Sequence, residues 1–200
     1  MLSFVRTRRW IVLLGAVVAT GAVVGAVVAA ERGPRVPSGL EAAIENEPLV
    51  KVLDFPGGDG RAGRSVFVQP TSAGFLCLWD APDATPRARQ GGCNSSEDPF
   101  AGTQMFISFA YDGGPAVADV KDARLIGLAA PAVTGVRVLM GDGSSRALSL
   151  RPVAVAGGRY RAFGYRSGLG DLRRGVGPVA VIASDETGAE IDRQATGFGE

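Results

Sequence analysis

The sequence predicts an all-β domain, an antiparallel sandwich of immunoglobulin-like or related type, preceded by one N-terminal transmembrane helix. Three observations lead to this: a long apolar run near the start, period-two alternation of apolar residues from Leu49 onward, and closely spaced turn signals. About seven to nine short strands are predicted. Because no amphipathic helix of three or more turns separates them, a parallel βαβ sheet is not expected.

The first element is an uncharged apolar run from Trp10 to Ala30, preceded by Arg6, Arg8 and Arg9. Roughly twenty helical residues cross the ~30 Å hydrocarbon core, so residues 10–30 predict one membrane span. The arginines favour a cytoplasmic position for residues 1–9, which places the rest of the chain outside the cytoplasm.

The apolar segment could be kept as a membrane anchor or removed as a signal peptide. The apolar core of a signal peptide is usually about 7–15 residues long, which favours an uncleaved anchor here. However, Val28-Ala29-Ala30 consists of small residues, and cleavage after Ala30 would release a chain beginning at Glu31. We expect a single-pass protein of the cell membrane, with a secreted domain as the alternative.

A connector over residues 31–48 follows. Ser38 and Glu41 have the spacing of a capping box, which predicts a short helix ending before Pro48. The pattern leaves open whether the connector is a free spacer or a flap packed on the domain. The β domain is predicted over residues 49–200.

The charge balance of the part after the apolar run excludes one class of partner. Three of the 21 basic residues precede this run and all 20 acidic residues follow it, so the remainder has a formal charge of −2. A nucleic-acid-binding domain would carry a basic surface, and none is expected here.

Strands are predicted wherever apolar residues alternate with other residues. Short turn sequences separate them, and Gly141-Asp142-Gly143-Ser144 is the strongest hairpin signal. The predicted strand regions are 65–69, 75–79, 104–109, 124–129, 133–140, a return strand at Leu148 and Leu150, 159–165, 178–184 and 189–194.

A resemblance to other exported proteins is carried by three stretches within residues 124–194: RLIGLAAPAVTGVRVLMGDGSSRALSLRPVAV, GGRYRAFGY and VAVIASDETGAEIDRQ. This region resembles uncharacterised single-span or secreted β-sandwich-like proteins of high-GC bacteria. The resemblance implies a sandwich fold and a position outside the cytoplasm, and it transfers no catalytic residue. An antibody-type domain is not expected, because Trp79 follows Cys77 by two positions and Cys93 is too close.

The two cysteines, Cys77 and Cys93, lie in the exported part, and an even count there predicts a disulfide. A redox pair or a metal site is not supported, because the spacing is not C-x-x-C and other ligands are lacking.

The chemistry is limited by the absence of histidine. Ser-His-Asp and Cys-His catalysis and the usual zinc sites require it. We therefore predict no catalytic residue, no metal and no cofactor. Neighbouring carboxylates could still serve a glycosidase if they faced each other across a cleft. The pairs are Glu97 with Asp98, Asp119 with Asp122, and Asp185 with Glu186.

Two loops are predicted to contribute to binding. One is the disulfide-closed stretch from Cys77 to Phe100, and the other runs from Arg166 to Pro178, where two adjacent arginines could hold a carboxylate or phosphate. The residues proposed as polar contacts are Arg87, Arg89, Glu97, Asp98, Arg173 and Arg174.

These observations favour a membrane-anchored extracytoplasmic β-sandwich with a non-catalytic binding role toward an envelope protein or the cell wall. Two alternatives remain: a histidine-free, carboxylate-dependent hydrolase of envelope glycans, and a soluble secreted domain. Solvated loops without any ligand are the simplest interpretation of the two loop segments.

Overall fold

The computed structural model describes residues 44–82, 89–113 and 119–198. All of them fall within the unit Gly39–Glu200. The transmembrane helix predicted at residues 10–30 and the start of the connector lie outside the described residues. Within the described ranges, no helix has the length and apolar character that a membrane crossing requires.

The described part of the chain contains twelve strands and one short helix, besides the helical residues 44–46. In chain order they are β1 (Val50–Phe55), β2 (Arg64–Pro70), β3 (Phe75–Pro82), β4 (Gln90–Ser95), β5 (Met105–Gly113), β6 (Val120–Ala129), β7 (Gly135–Met140), β8 (Ser145–Leu148), β9 (Arg151–Val155), β10 (Gly158–Arg166), α1 (Leu169–Arg173), β11 (Pro178–Ser184) and β12 (Glu190–Ala195).

The strands form three four-stranded sheets. The first sheet has the order β1-β2-β3-β4, the central sheet β5-β6-β10-β9, and the last sheet β12-β11-β7-β8. Every pairing within these sheets is antiparallel. The prediction of an antiparallel all-β domain is therefore confirmed.

The central sheet has apolar contacts on both of its faces. Ile126 and Leu128 of β6 pack with Val66 and Leu78 of the first sheet in one apolar cluster. Leu125 of β6 and Phe163 of β10 pack against the last sheet in a second cluster. This layering explains why β6 is an almost continuous buried run rather than a strand with one solvated face.

The close approach of β6 and β10 depends on one glycine. A Cβ atom built on Gly127 would lie 2.1 Å from Cζ of Phe163, whose ring fills the second apolar cluster. Because Cβ atoms essentially never approach another atom this closely, a side chain at position 127 would force the ring to move. Gly127 therefore makes room for the ring of its cross-strand partner.

The structure differs from the predicted strand list at three places. The first strand, β1, is absent from that list. The single return strand expected at Leu148 and Leu150 is split: β8 pairs with β7 in the last sheet, whereas β9 pairs with β10 in the central sheet. The stretch from Cys77 to Phe100 is not one long loop, because β3 and β4 pair within it. The strand β4 contains Gly91 and Gly92 and has no apolar alternation, so its pattern did not indicate a strand.

The predicted hairpin turns are present. Between β7 and β8, Gly143 has φ +81° and the Asp142 carboxylate accepts a hydrogen bond from the Ser144 amide at 3.0 Å. Between β11 and β12, the Asp185 carboxylate accepts from the Thr187 amide at 2.9 Å. Short polar side chains that bond to the backbone two residues later are typical of such turns.

The described end of the connector is packed on the outer face of the first sheet. Residues 44–46 are helical. The Gln69 amide nitrogen donates to the carbonyls of Ile44 at 3.2 Å and Glu47 at 2.8 Å. The Glu47 carboxylate in turn accepts from the Ser72 amide at 2.9 Å. In these residues the connector is a packed flap, not a free spacer.

Candidate functional site

The disulfide predicted from the sequence is confirmed. Cys77 on β3 and Cys93 on β4 are directly opposite each other in the antiparallel register, and their Cα atoms are 4.0 Å apart. Cys77 is fully buried and lies beside Trp79 on the outer face of the first sheet. The bond therefore fastens the edge strand β4 to the sheet.

The residues predicted in the first binding loop do not converge on one site. Arg87 lies outside the described residues. The Arg89 guanidinium stacks 5.1 Å from the centre of the Trp79 ring and donates to the Ile44 carbonyl. Glu97 and Asp98 lie in the exposed segment after β4, where the Asp98 carboxylate accepts from the Gly102 amide at 3.4 Å.

The predicted arginine pair at the end of α1 is divided between two roles. Arg174 Nη2 lies 2.7 Å from Asp171 Oδ1, so its charge is matched locally. Arg173 instead lines a cavity of about 280 Å³ together with Arg61 and Lys121. The two neighbours in sequence therefore face different surroundings.

The most unusual feature of the described structure is a network of charged residues between the first and central sheets, here called the ionic cluster. It joins residues from β2, β3, β5, β6 and β10 and from the segment between β1 and β2. Its members are Arg61, Arg64, Asp80, Asp112, Asp122, Arg124 and Arg166.

One half of the ionic cluster is built around Asp80, whose side chain is fully buried. Arg64 Nε lies 3.0 and 2.8 Å from its two carboxylate oxygens. Arg124 Nε approaches the same carboxylate at 2.8 Å. Two guanidinium groups on different sheets thus share one buried carboxylate and link the sheets.

The other half is built around Asp122. Arg166 reaches its carboxylate with Nε at 2.9 Å and Nη2 at 2.6 Å. Arg61 Nη1 contacts it at 3.3 Å and also donates to the Ser167 carbonyl at 2.7 Å. Arg124 Nη1 donates both to Asp122 and to Asp112, so Arg124 joins the two halves.

The charged forms are favoured despite burial. Burial raises the pKa of the Asp122 carboxyl, but the hydrogen bond from Arg166 and the charge of Arg124 outweigh it, and the pKa lies below its ordinary value. Burial lowers the pKa of Arg124, but the charge of Asp80 and the bond to Asp112 outweigh this, and the pKa lies above its ordinary value.

The strand periodicity contains a signal for the ionic cluster, although none of the predicted polar contacts belongs to it. In a strand, residues two apart face the same side of the sheet. Arg124 is in phase with the buried Ile126, and Asp80 is in phase with the buried Leu78. A charged residue that continues an apolar stripe indicates burial with a partner, but it does not identify that partner.

Three buried polar atoms have no hydrogen-bond partner among the described residues: Arg61 Nε, Arg124 Nη2 and Ser167 Oγ. Arg61 and Arg124 both contact Asp122, and Arg61 also contacts the backbone of Ser167. The three residues with unpaired atoms are therefore connected by hydrogen bonds, and one of them, Arg61, also lines the cavity. Buried polar atoms without partners are uncommon in folded proteins.

Asp122 and Asp185, each from one of the carboxylate pairs considered for catalysis, have other roles here. Asp122 is held by arginines of the ionic cluster. Asp185 accepts three hydrogen bonds in its turn, and the bond from the Thr187 hydroxyl lowers its pKa. A glycosidase acid needs a raised pKa, which is the opposite direction.

Comparison with known proteins gives no match to a family model, to a curated protein or to a solved structure.

Proposed function

We propose that the chain is a single-pass membrane protein whose residues 49–200 form an extracytoplasmic binding domain without catalytic function. The segment 10–30 anchors it and residues 1–9 face the cytoplasm. Its partner is an envelope protein or a cell-wall component. Within the all-β class, the fold is a sandwich related to immunoglobulin-like domains with an additional layer.

The observation that carries this proposal is the disulfide between Cys77 and Cys93. Disulfides form and persist in oxidising compartments and are rare in the cytosol. The apolar run from Trp10 to Ala30 supplies the route out of the cytoplasm. The packing of residues 44–47 on the same sheet supports a domain that is held close to the end of its connector.

A binding role is favoured over the hydrolase alternative by the state of the acidic groups. Asp80 and Asp122 are each bound by arginine, so neither has a free carboxyl for proton transfer. All shifted carboxyl pKa values among the described residues are shifted downward, which favours the ionised form. Binding, unlike acid catalysis, requires no proton donor near neutral pH.

The location is tested by thiol labelling in intact cells with a membrane-impermeant maleimide. The wild-type chain should sit in the membrane fraction and react only after reduction. An exposed substitution, Glu97→Cys, should react in intact cells without reduction. Labelling of this variant only after cell lysis would overturn the proposed topology.

Mass spectrometry of the N-terminus separates the two exported forms. An intact N-terminus in the membrane fraction supports the anchor, whereas a mature chain beginning at Glu31 supports the secreted alternative. Hydrolysis of purified envelope glycans by the wild-type chain, abolished by a single carboxylate substitution, would replace the binding role with the enzymatic one.

A further inference from the structure

The cavity beside the ionic cluster combines positive charge with an apolar wall. Its charged lining residues are Arg61, Lys121, Arg173 and Asp59, so the basic groups exceed the acidic ones by two. Leu169 and Leu172 of α1 complete the wall. Its volume of about 280 Å³ accommodates a small anionic group with a few attached carbon atoms.

Arg61 is held in position before any ligand arrives. Its Nη1 atom is fixed by the Asp122 carboxylate at 3.3 Å and by the Ser167 carbonyl at 2.7 Å. These bonds leave Nε as a buried donor without a partner among the described residues. An arginine whose geometry is already set loses little conformational entropy when it accepts an anion.

A second unpaired group belongs to Ser167, the residue whose carbonyl accepts the hydrogen bond from Arg61. Ser167 is fully buried, and its hydroxyl has no partner in the described part of the chain. It directly precedes Gly168 and α1, whose Leu169, Leu172 and Arg173 line the cavity. The cavity therefore offers the fixed guanidinium of Arg61 together with two exposed cations, Lys121 and Arg173. Ser167 does not line the cavity itself, but its backbone carbonyl holds Arg61 in place.

We propose that this cavity binds a phosphoryl group, either from a soluble phosphate monoester or from a phospholipid headgroup. A phosphate monoester carries a charge of about −1.5 to −2 near neutral pH, which suits a wall that presents three basic groups and one acidic group. A carboxylate would bring only one charge to the same groups. Guanidinium donors also suit the geometry of phosphate oxygens. The inference rests on the proposed binding role of the domain, but it does not require the membrane anchor.

The experiment compares two neighbouring arginines. The full chain, purified in detergent, is titrated by calorimetry with inorganic phosphate and with glycerol 3-phosphate. We expect saturable binding that Arg173→Gln weakens about tenfold, in line with loss of one charged hydrogen bond. Arg174→Gln, which removes an equal charge already matched by Asp171, should change the affinity less than about twofold.

The anion itself is varied in the same titration. Acetate at equal concentration should bind at least about tenfold more weakly than glycerol 3-phosphate, because it offers one charge in place of about two. Equal loss in Arg173→Gln and Arg174→Gln, absence of saturable binding of any phosphate probe, or equal affinity for acetate would each overturn the proposal. Both arginines are exposed, and unchanged urea midpoints will show that both variants fold.

A second experiment, with lipid bilayers, distinguishes a lipid headgroup from a soluble ester as the source of the phosphoryl group. The chain is reconstituted in nanodiscs of phosphatidylcholine with or without phosphatidic acid, and cross-linking of the headgroup to the domain is compared. Cross-linking that depends on phosphatidic acid and is lost in Arg173→Gln assigns the site to a lipid headgroup. Binding of glycerol 3-phosphate with no such cross-linking assigns it to a soluble ester. The tests of the proposed location measure thiol labelling and the N-terminus. A negative result there is therefore distinguishable from a failure to bind phosphate.

Discussion

The two faces of β6 hold the sheets together by different physics. Arg124 and Leu125 are neighbours, and both are fully buried. Arg124 faces the first sheet and bonds Asp80, Asp112 and Asp122, whereas Leu125 packs among apolar side chains toward the last sheet. A charged interface depends on every partner being present, while an apolar interface depends on volume and shape.

The largest effect is expected when the ionic cluster loses its central cation. Arg124→Ala leaves the buried Asp80 and Asp122 carboxylates short of a partner and should lower the free energy of unfolding by about 3–5 kcal/mol. Urea unfolding of the full chain in detergent, followed by Trp79 fluorescence in a Trp10→Phe background, measures this. A loss below about 1 kcal/mol would mean that the cluster contributes little.

The matched change on the apolar face is Leu125→Ala. It removes buried methyl groups and leaves a cavity, which costs about 2–5 kcal/mol depending on how far the surroundings collapse. We expect its effect to be smaller than that of Arg124→Ala in the same urea assay. The reverse order would show that the apolar face is the stronger link between sheets.

A smaller loss is expected from adding volume to the apolar face. Gly127→Ala brings a methyl group against the Phe163 ring and should destabilise by about 1–3 kcal/mol. Phe163→Leu in the same chain removes the colliding ring, so the double variant should lose less than the sum of the single losses. If the double variant lost the sum of the two single losses, a steric clash between the new methyl group and the ring would be contradicted.

The smallest expected change is the variation with pH of the stability difference that an Asp122 substitution causes. The pKa of Asp122 is lowered in the folded protein, so its contribution is fully present above the ordinary value of 3.8 and is lost as pH falls through the folded value. The stability difference between wild type and Asp122→Asn should therefore be constant from about pH 7 to 5 and shrink below pH 3.8.

The apolar face supplies the control for this pH series. Leu125→Ala removes no titratable group, so its stability difference from wild type should stay parallel across the same range. A difference for Asp122→Asn that also remains constant down to about pH 2 would show that Asp122 does not titrate with folding.

Several elements of the fold were predictable because they depend on neighbours along the chain. The alternation around Val66 and Val68 indicated a strand, and Asp142-Gly143 indicated a hairpin turn. The cysteine pair was also predicted correctly. The split between β8 and β9 was not predictable, because the pattern shows apolar positions without showing which sheet covers them.

The candidate site was predicted in part. Arg173 was identified from its neighbourhood of glycines, and the structure adds Arg61 and Lys121 beside it. The adjacent Arg174 looked equivalent in the sequence, but it is matched by Asp171. Side chains of one type are distinguished only by what folding places next to them.

The sequence by itself determined the local order of this protein: strand periodicity, turn chemistry and the presence of a cysteine pair. These features follow from the residues in each segment, because they depend on backbone geometry over a few positions. The three-layer arrangement and the ionic cluster were decided by folding. Arg124 bonds Asp80 across 44 positions of the chain, and burial of either charge is tolerable only when that distant partner is in place.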